Sequence, residues 1–195
     1  MKRLAILGAA GTIGQLTRQT LLERTNFSLV LYARQATERL QQIDAAREKI
    51  IDGDFLDLGR LVRALQGCQS VFLTDIHDPR ATLRVIEAMK LAEVSQLISV
   101  APERNLCHSE ALKQLVSATD LSLSPKKHQL LLQQKNRLMS YQLIKGSELS
   151  VYFVHLPSEK KRMANRRAWR ESVVEEILSF KIAVQLNSNL KGMKK

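Results

Sequence analysis

The chain has 195 residues, 45% of them hydrophobic, and a formal net charge of +11. This length supports one domain with a sizeable core, and no apolar run approaches the roughly 18 residues of a membrane span. The first three residues lead directly into a strand pattern instead of a signal peptide, so we expect a soluble cytoplasmic protein with no membrane partner.

A glycine-rich turn follows the first predicted strand. Residues 4–7 form a short apolar run typical of a buried strand, and residues 12–24 have the apolar spacing of a helix. Glycines between them let the backbone approach a phosphate, and the helix start presents unpaired N–H groups and the positive end of a dipole. The pattern predicts a nucleotide-binding turn made by Gly8, Gly11, Thr12, Ile13 and Gly14.

A basic residue follows the second predicted strand, residues 27–32. Arg34 stands 20 positions after Gly14. In dinucleotide-binding folds, an acidic residue at about this distance binds the ribose hydroxyls, whereas a basic one accommodates the 2′-phosphate. Arg34 therefore favours NADP(H) over NAD(H). The alternative is an ordinary surface cation at the end of a strand.

The first hundred residues alternate between strand and helix patterns. This alternation predicts an α/β fold of the Rossmann type, a single domain with a doubly wound parallel sheet and helices on both faces. Thr74, at the end of the fourth strand, should then border the cofactor. The further elements predicted are helices at 36–46, 58–65 and 79–92 and strands at 49–51, 70–74 and 96–100.

Acidic residues cluster after the third predicted strand, where Asp54 and Asp57 flank Phe55. A carboxylate at this edge of the sheet can accept a hydrogen bond from an adenine amino group, with Phe55 beside the ring. Aspartate is also favoured at helix N-caps, so Asp54 or Asp57 is alternatively the cap of the helix at 58–65. Both interpretations can hold together.

These motifs resemble the atypical short-chain dehydrogenase/reductases, specifically the NAD(P)H-binding, NmrA-like branch. The resemblance covers residues 3–100 and returns more weakly at 147–154 and 170–174. It implies that the glycine turn holds the cofactor pyrophosphate, that the basic residue after strand two favours NADP, and that the acidic turn contacts adenine. The residues that inherit these roles are Gly8, Gly11, Gly14, Arg34, Asp54 and Phe55.

The resemblance is poorer in the catalytic half. Active members of the superfamily place a serine just after strand five and a Tyr-x-x-x-Lys on the next helix, where the tyrosine donates a proton. Here Ala101 and Pro102 follow the fifth strand, and Ser99 lies inside it. Tyr141 and Lys145 do have the required spacing, which places both on one helix face. They are the catalytic candidates of this sequence.

The position of this pair departs from the superfamily pattern. Ser124 and Pro125 predict the start of a helix that runs to about Lys145, with Gly146 as its stop. Tyr141 then lies in the last turns, whereas the superfamily's tyrosine lies near the start of its helix. A chance match in a lysine-rich helix is the alternative.

The carboxyl-terminal 95 residues carry 9 of the 11 net positive charges. Basic residues at 160–162, together with Arg166, Arg167 and Arg170 around Trp169, can grip a nucleic-acid backbone. We favour the simpler interpretation, a basic loop at 156–169 that leads into a helix at 171–180, and expect no nucleic-acid partner. This loop is shorter than the family's substrate-covering segment.

The function predicted is that of an NADPH-dependent oxidoreductase acting on an unknown small molecule; the alternative is a non-catalytic NADP(H)-binding sensor. No metal site is predicted, because the two cysteines, Cys68 and Cys107, and the four histidines share no ligand spacing. An apolar set on the helix before strand six predicts packing on the sheet or, alternatively, a homodimer contact; it consists of Leu130, Leu131, Leu138 and Leu143.

Overall fold

The computed structural model describes residues 2–101, 125–156 and 165–192, with the backbone alone at 127, 128 and 180–192. Strands and helices alternate through these residues. In chain order they are β1 (Arg3–Leu7), α1 (Thr12–Arg24), β2 (Ser28–Ala33), α2 (Ala36–Arg39), β3 (Glu48–Asp52), α3 (Leu58–Leu65), β4 (Ser70–Leu73), α4 (Pro79–Leu91), β5 (Gln96–Val100), α5 (Pro125–Lys145), β6 (Ser150–Val154) and α6 (Arg166–Gly192).

The six strands form one parallel sheet in the order β3-β2-β1-β4-β5-β6. The order reverses between β1 and β4, which is the arrangement of a doubly wound Rossmann sheet and confirms the predicted fold class. Because all strands are parallel, their carboxyl ends meet at one edge, and the glycine turn lies there after β1. None of the helices in the described part of the chain is long and apolar enough to cross a membrane.

Each face of the sheet carries its own apolar cluster. On one face α1 and α6 cover the strands, with Leu16, Leu21 and Trp169 among the buried residues. On the other face α3, α4 and α5 do so, with Leu61 and Ile144 buried. Burial on both faces explains why the strands are near-continuous apolar runs.

The helix predicted at 36–46 is wrong beyond its first turn, because α2 ends at Arg39. Glu48, whose side chain is fully buried, accepts hydrogen bonds from the backbone N–H groups of Ile43 and Asp44 and from Arg18. Burial raises the pKa of the Glu48 carboxyl, but these hydrogen bonds outweigh it and the pKa is lowered. The Glu48 carboxylate, four and five residues further along the chain, thus takes the N–H groups that a longer helix would use.

Helix α5 reaches Lys145 as predicted, and its predicted cap, Ser124, lies outside the described residues. The prediction that the whole leucine set packs on the sheet is wrong. Leu138 is buried, but Leu130 and Leu143 are 55% and 36% exposed. Since α5 also packs against α4, its buried face runs through Ile144 instead of Leu143. The homodimer stays a prediction.

Helix α6 begins at Arg166, five residues before the predicted start, and extends to Gly192. Asn165 caps it, since its Oδ1 accepts a hydrogen bond from the backbone N–H of Ala168 at 3.0 Å. Trp169 is buried against the cluster on the α1 face. The expectation of a basic loop through Trp169 is therefore wrong: Arg166 to Arg170 are helical. The basic residues at 160–162 lie outside the described residues.

Candidate cofactor-binding site

The glycine turn is closed by short backbone contacts that leave no room for side chains. Gly8 has a φ of +84°, a conformation that favours glycine, and its N–H donates to the Tyr32 carbonyl at 2.9 Å. The Gly11 N–H donates to the Gly8 carbonyl at 3.0 Å. A Cβ on Gly14 would lie 2.6 Å from the Ala9 Cα and clash with the Gly8 carbonyl. The turn needs glycine at both ends.

The amino terminus of α1 has no side-chain cap. Its N-cap residue is Gly11, and the first turn contains no acidic residue. Helices α3 and α4, by contrast, are capped by the carboxylates of Asp57 and Asp78. The first N–H groups of a helix have no intrahelical partner, so those of Thr12 and Ile13 are available to an external acceptor. The residues present fit a pyrophosphate, whose oxygens such N–H groups bind.

Thr74 lies directly against this turn. Its hydroxyl donates to the Leu7 carbonyl at 2.9 Å, and a Cβ on Gly8 would collide with it. Thr74 follows β4, the neighbour of β1 across the reversal of the strand order. The side chain therefore joins the two strands at the cofactor edge, and its predicted contact with the cofactor stays a prediction.

The acidic turn after β3 is held by Tyr32, a strand residue that no sequence motif distinguishes. The Tyr32 hydroxyl donates to the Asp54 carbonyl at 2.8 Å, and its ring stacks on Phe55 with centroids 5.9 Å apart. A Cβ on Gly53 would clash with the hydroxyl and the ring of Tyr32. Burial raises the pKa of Tyr32 to about 12, so the hydroxyl stays a donor at neutral pH. Tyr32 thus places Asp54 and Phe55.

The two aspartates of the acidic turn make different contacts. Asp57 is the N-cap of α3, because its Oδ1 accepts a hydrogen bond from the backbone N–H of Arg60 at 2.9 Å. Asp54 instead accepts from the Leu56 N–H at 2.8 Å within the turn. The capping prediction is confirmed at Asp57, while the adenine contact at Asp54 stays a prediction.

Arg34 projects from the end of β2 into solvent. Its side chain is 77% exposed, and its Nη1 lies 4.0 Å from Asp54 Oδ2, which is a loose ion pair. A second arginine in this region was missed: Arg39 donates from Nη2 to the carbonyl of Ala10 in the glycine turn at 3.1 Å. Arg39 lay within a predicted polar helix, and its approach to Ala10 depends on tertiary structure.

The catalytic candidates lie together but are engaged in packing. The Lys145 ammonium is 5.7 Å from the centroid of the Tyr141 ring, and that ring is 4.7 Å from the Phe153 ring. Only four residues separate Lys145 from Ser150, where β6 begins. Lys145 therefore lies at the amino edge of the sheet, on the side opposite the glycine turn. Tyr141 lies one helical turn closer to the glycine turn than Lys145 does.

The two other residues considered near strand five also have structural surroundings. Ser99 is fully buried, and its hydroxyl donates to the Val100 carbonyl at 3.3 Å. Ala101, which stands where the superfamily serine would, is buried and donates its N–H to the Val154 carbonyl at 2.9 Å. Pro102 lies outside the described residues. The residue directly after strand five is thus an alanine and not a serine.

A histidine and an aspartate pair in the loop after β4. His77 Nδ1 lies 2.7 Å from Asp75 Oδ2, and both side chains are about half exposed. The loop directly follows Thr74, so the pair stands at the carboxyl edge of the sheet. Sequence spacing gave no reason to combine them, because a residue pair two apart in a loop has no defined geometry until the loop is placed.

The fold and the turn define a dinucleotide-binding protein of the Rossmann type, with an uncapped helix start at the reversal of the strand order. Comparison with known proteins makes this more specific. The sequence model of the NAD(P)H-binding family matches residues 8–160, and the chain belongs to that family. An oxidoreductase of Pestalotiopsis microspora is 32% identical over 78 residues, which are 38% of this chain and 30% of that protein. The chain thus spans less than a third of that relative.

Solved structures share the fold. A short-chain dehydrogenase/reductase of Veillonella parvula, solved in complex with NADP, is 24% identical and has a TM-score of 0.64, with 79% of this chain and 68% of that chain covered. A Rossmann-fold NAD(P)-binding family protein of Shigella flexneri is 25% identical, with a TM-score of 0.57 over 80% and 66% of the two chains. The family and the fold predicted from the sequence are confirmed.

Proposed function

We propose that this protein binds NADP(H) in preference to NAD(H) and transfers hydride between the cofactor and a small-molecule substrate. The observation that carries the binding of a dinucleotide is the start of α1, which has glycine at its N-cap and no carboxylate in its first turn; the preference for NADP(H) depends on Arg34. An anion is stabilised at such a terminus by unpaired N–H groups and the helix dipole. A capping aspartate would compete for the same groups.

Different residues of this chain bind different parts of the cofactor. Gly8, Gly11 and Gly14 let the backbone approach the pyrophosphate, which the first N–H groups of α1 bind. Arg34, mostly exposed, turns from its loose contact with Asp54 to the 2′-phosphate. Phe55, fixed by its stacking on Tyr32, lies beside the adenine. The bound cofactor supplies the hydride chemistry, and the protein supplies binding and orientation.

A charge reversal at Arg34 tests the cofactor preference. NADPH and NADH are titrated into the wild-type protein and into Arg34→Asp. Loss of a charge-assisted hydrogen bond, worth about 1.5–3 kcal/mol, should weaken NADPH binding about tenfold or more and leave NADH binding unchanged. Arg84→Asp is the matched control, because Arg84 is an exposed arginine on α4 that pairs with Glu87. An equal loss in both variants would indicate general electrostatics instead of a phosphate contact.

A non-catalytic NADP(H)-binding sensor is the second candidate function. The observation that favours it is the position of Tyr141, whose ring packs on Phe153 while Lys145 stands at the amino edge of the sheet. Proton donation to a substrate requires an acid within hydrogen-bond reach of the reacting atom. Ala101 offers no hydroxyl in place of the superfamily serine.

Turnover measurements separate the two candidates. The purified protein is given NADPH with a panel of quinones, aldehydes and ketones, and the cofactor absorbance is followed. Oxidation of NADPH that depends on one substrate class supports the oxidoreductase. Cofactor binding without any turnover, together with a partner that is captured only in the presence of NADPH, supports the sensor.

A further inference from the structure

A histidine and an aspartate face each other at the carboxyl edge of the sheet, in the loop between β4 and α4. His77 Nδ1 lies 2.7 Å from Asp75 Oδ2, and the two side chains are 61% and 46% exposed. We call them the His77–Asp75 dyad. The next residue, Asp78, caps α4 and pairs with Arg80 at 3.5 Å, so the loop ends at a fixed point. The dyad is anchored at the helix and open to a ligand.

The aspartate determines which nitrogen of the histidine is free. A histidine nitrogen that faces a carboxylate carries a hydrogen, so Nδ1 is the donor to Asp75. The other nitrogen, Nε2, is left to take up and release a proton. An aspartate holds the histidine of a catalytic triad in the same way. The dyad therefore has the parts of a general acid and of the residue that orients it.

The position of the dyad follows from the order of the strands. Thr74, the residue before Asp75, lies against the glycine turn, since a Cβ on Gly8 would collide with its hydroxyl. The strand order reverses between β1 and β4, and a dinucleotide lies across such a reversal. Arg34 and Phe55, assigned to the adenosine half, follow β2 and β3 on one side of β1. The nicotinamide half then lies on the β4 side, where the dyad is.

We propose that His77 is the proton donor for reduction of an aldehyde or ketone and that Asp75 positions its ring, an assignment that rests on the oxidoreductase function proposed above. As hydride from NADPH bonds to the carbonyl carbon, the π electrons of the C=O bond move to the oxygen. The O–H bond forms there as the Nε2–H bond of His77 breaks. The products are an alcohol and NADP⁺, and water returns a proton to Nε2.

The dyad occupies the edge that the superfamily's catalytic candidates do not reach. A general acid must come within hydrogen-bond reach of the reacting atom. Tyr141 packs on Phe153, and Lys145 stands at the amino edge of the sheet, four residues before β6 begins. Ala101, after β5, has no hydroxyl. His77 shares its edge with the glycine turn.

Nuclear magnetic resonance of protein labelled with ¹⁵N-histidine tests the position of His77 without turnover. The ring signals of His77 should move when NADPH is added and move again when NADP⁺ replaces it, because the two forms differ only in the nicotinamide ring. His155 is the control: it follows β6, two strands or about 10 Å from β4, and should show no second change. In Asp75→Asn, the ¹⁵N shifts of neutral His77 should show more hydrogen on Nε2 than in the wild type.

Kinetics test the proton transfer. The reference substrate is 4-nitrobenzaldehyde, measured beside the other aldehydes and ketones of the panel. His77→Ala should lower kcat about a hundredfold or more and leave NADPH affinity unchanged, which is the usual contribution of a general acid. Added imidazole should restore part of the lost rate, because the exposed position gives it access, and should not accelerate the wild type. His155→Ala, also at an exposed position, should match the wild type.

Several outcomes would overturn the proposal. They are wild-type kcat in His77→Ala, a lost rate that imidazole does not restore, and His77 signals that are the same with NADPH and NADP⁺. A hundredfold loss in Tyr141→Phe, with His77→Ala unaffected, would make Tyr141 the proton donor. If the wild type binds NADPH but reduces no aldehyde or ketone, the oxidoreductase function itself is refuted and the role of His77 with it. Turnover that survives His77→Ala refutes the role of His77 alone.

Discussion

Replacing Gly14 by alanine tests whether close packing of the glycine turn stabilises the fold. Gly14 lies in the first turn of α1, so alanine would by propensity alone stabilise the helix by about 1 kcal/mol. The added Cβ would lie 2.6 Å and 2.8 Å from two backbone atoms of Ala9, where ordinary contact begins at 3.4 Å. Backbone atoms cannot rotate away as a side chain can. The turn must therefore shift.

We expect Gly14→Ala to lower the free energy of unfolding, although the higher helix propensity of alanine alone would raise it. Overpacking of this kind costs about 1–3 kcal/mol, which exceeds the helix gain in the upper part of that range. The matched control is Gly59→Ala in α3, where the nearest atom to the new Cβ is a side-chain nitrogen of Arg63 at 3.6 Å. With that space open, Gly59→Ala should stabilise by about 0.5–1 kcal/mol.

Urea unfolding followed by circular dichroism gives both free energies, and NADPH titration gives the effect on the site. We expect opposite signs for the two variants and a weaker NADPH affinity only for Gly14→Ala. Equal stabilisation by both substitutions, with NADPH affinity preserved, would refute the idea that the turn requires glycine at position 14.

Three further predictions concern buried polar groups. Glu48→Gln should destabilise by about 3–5 kcal/mol, because Arg18 loses its charged partner in a buried pair. In the wild type folding lowers the pKa of Glu48, so this stabilisation is fully present above the ordinary glutamate pKa of 4.5 and is lost as the pH falls through the lowered value. The unfolding free energy of the variant should therefore depend less on pH in acid. Ser140→Ala should raise the free energy of unfolding by about 1 kcal/mol in thermal unfolding, because no hydrogen-bond partner of the buried Ser140 hydroxyl is found among the described residues. The control is Ser179→Ala at an exposed position of α6, which should raise it by only about half as much. Tyr32→Phe should remove an ionisation near pH 12 from the ultraviolet titration of the protein. Because folding raises the pKa of Tyr32, the stability of the wild type should fall as the pH rises from about 10 to 12. Loss of an ionisation near pH 10 in the variant would instead contradict the burial of Tyr32.

Local signals allowed the sequence to predict several elements to the residue. Helix α3 spans Leu58–Leu65 as predicted, because Asp57 caps it and Gly67, with a φ of +73°, follows its end. The bounds of α1 and β5 are likewise confirmed. In each case the residues that determine where the element begins or ends lie next to it in the sequence. The glycine turn could be predicted for the same reason.

Most of the misses depend on contacts between residues that are far apart in sequence; the Asn165 cap of α6 is a local signal. The segment after Arg39 leaves the helix because Glu48 and Arg18 bind its backbone, and no local pattern reveals that pair. Helix α6 begins early because Trp169 packs into the cluster beneath α1. The support of the acidic turn by Tyr32 crosses 22 residues. Sequence periodicity does not predict such contacts, so the residues that support the site can be identified only once the fold is known.

We propose that the uncapped start of α1 and Arg34 together make an NADP(H) site. The measurement that tests it most directly is the pair of dissociation constants of the wild-type protein for NADPH and NADH under identical conditions. We predict that NADPH binds at least about tenfold more tightly, since the 2′-phosphate adds a charged contact to Arg34. Equal or tighter binding of NADH would contradict this assignment.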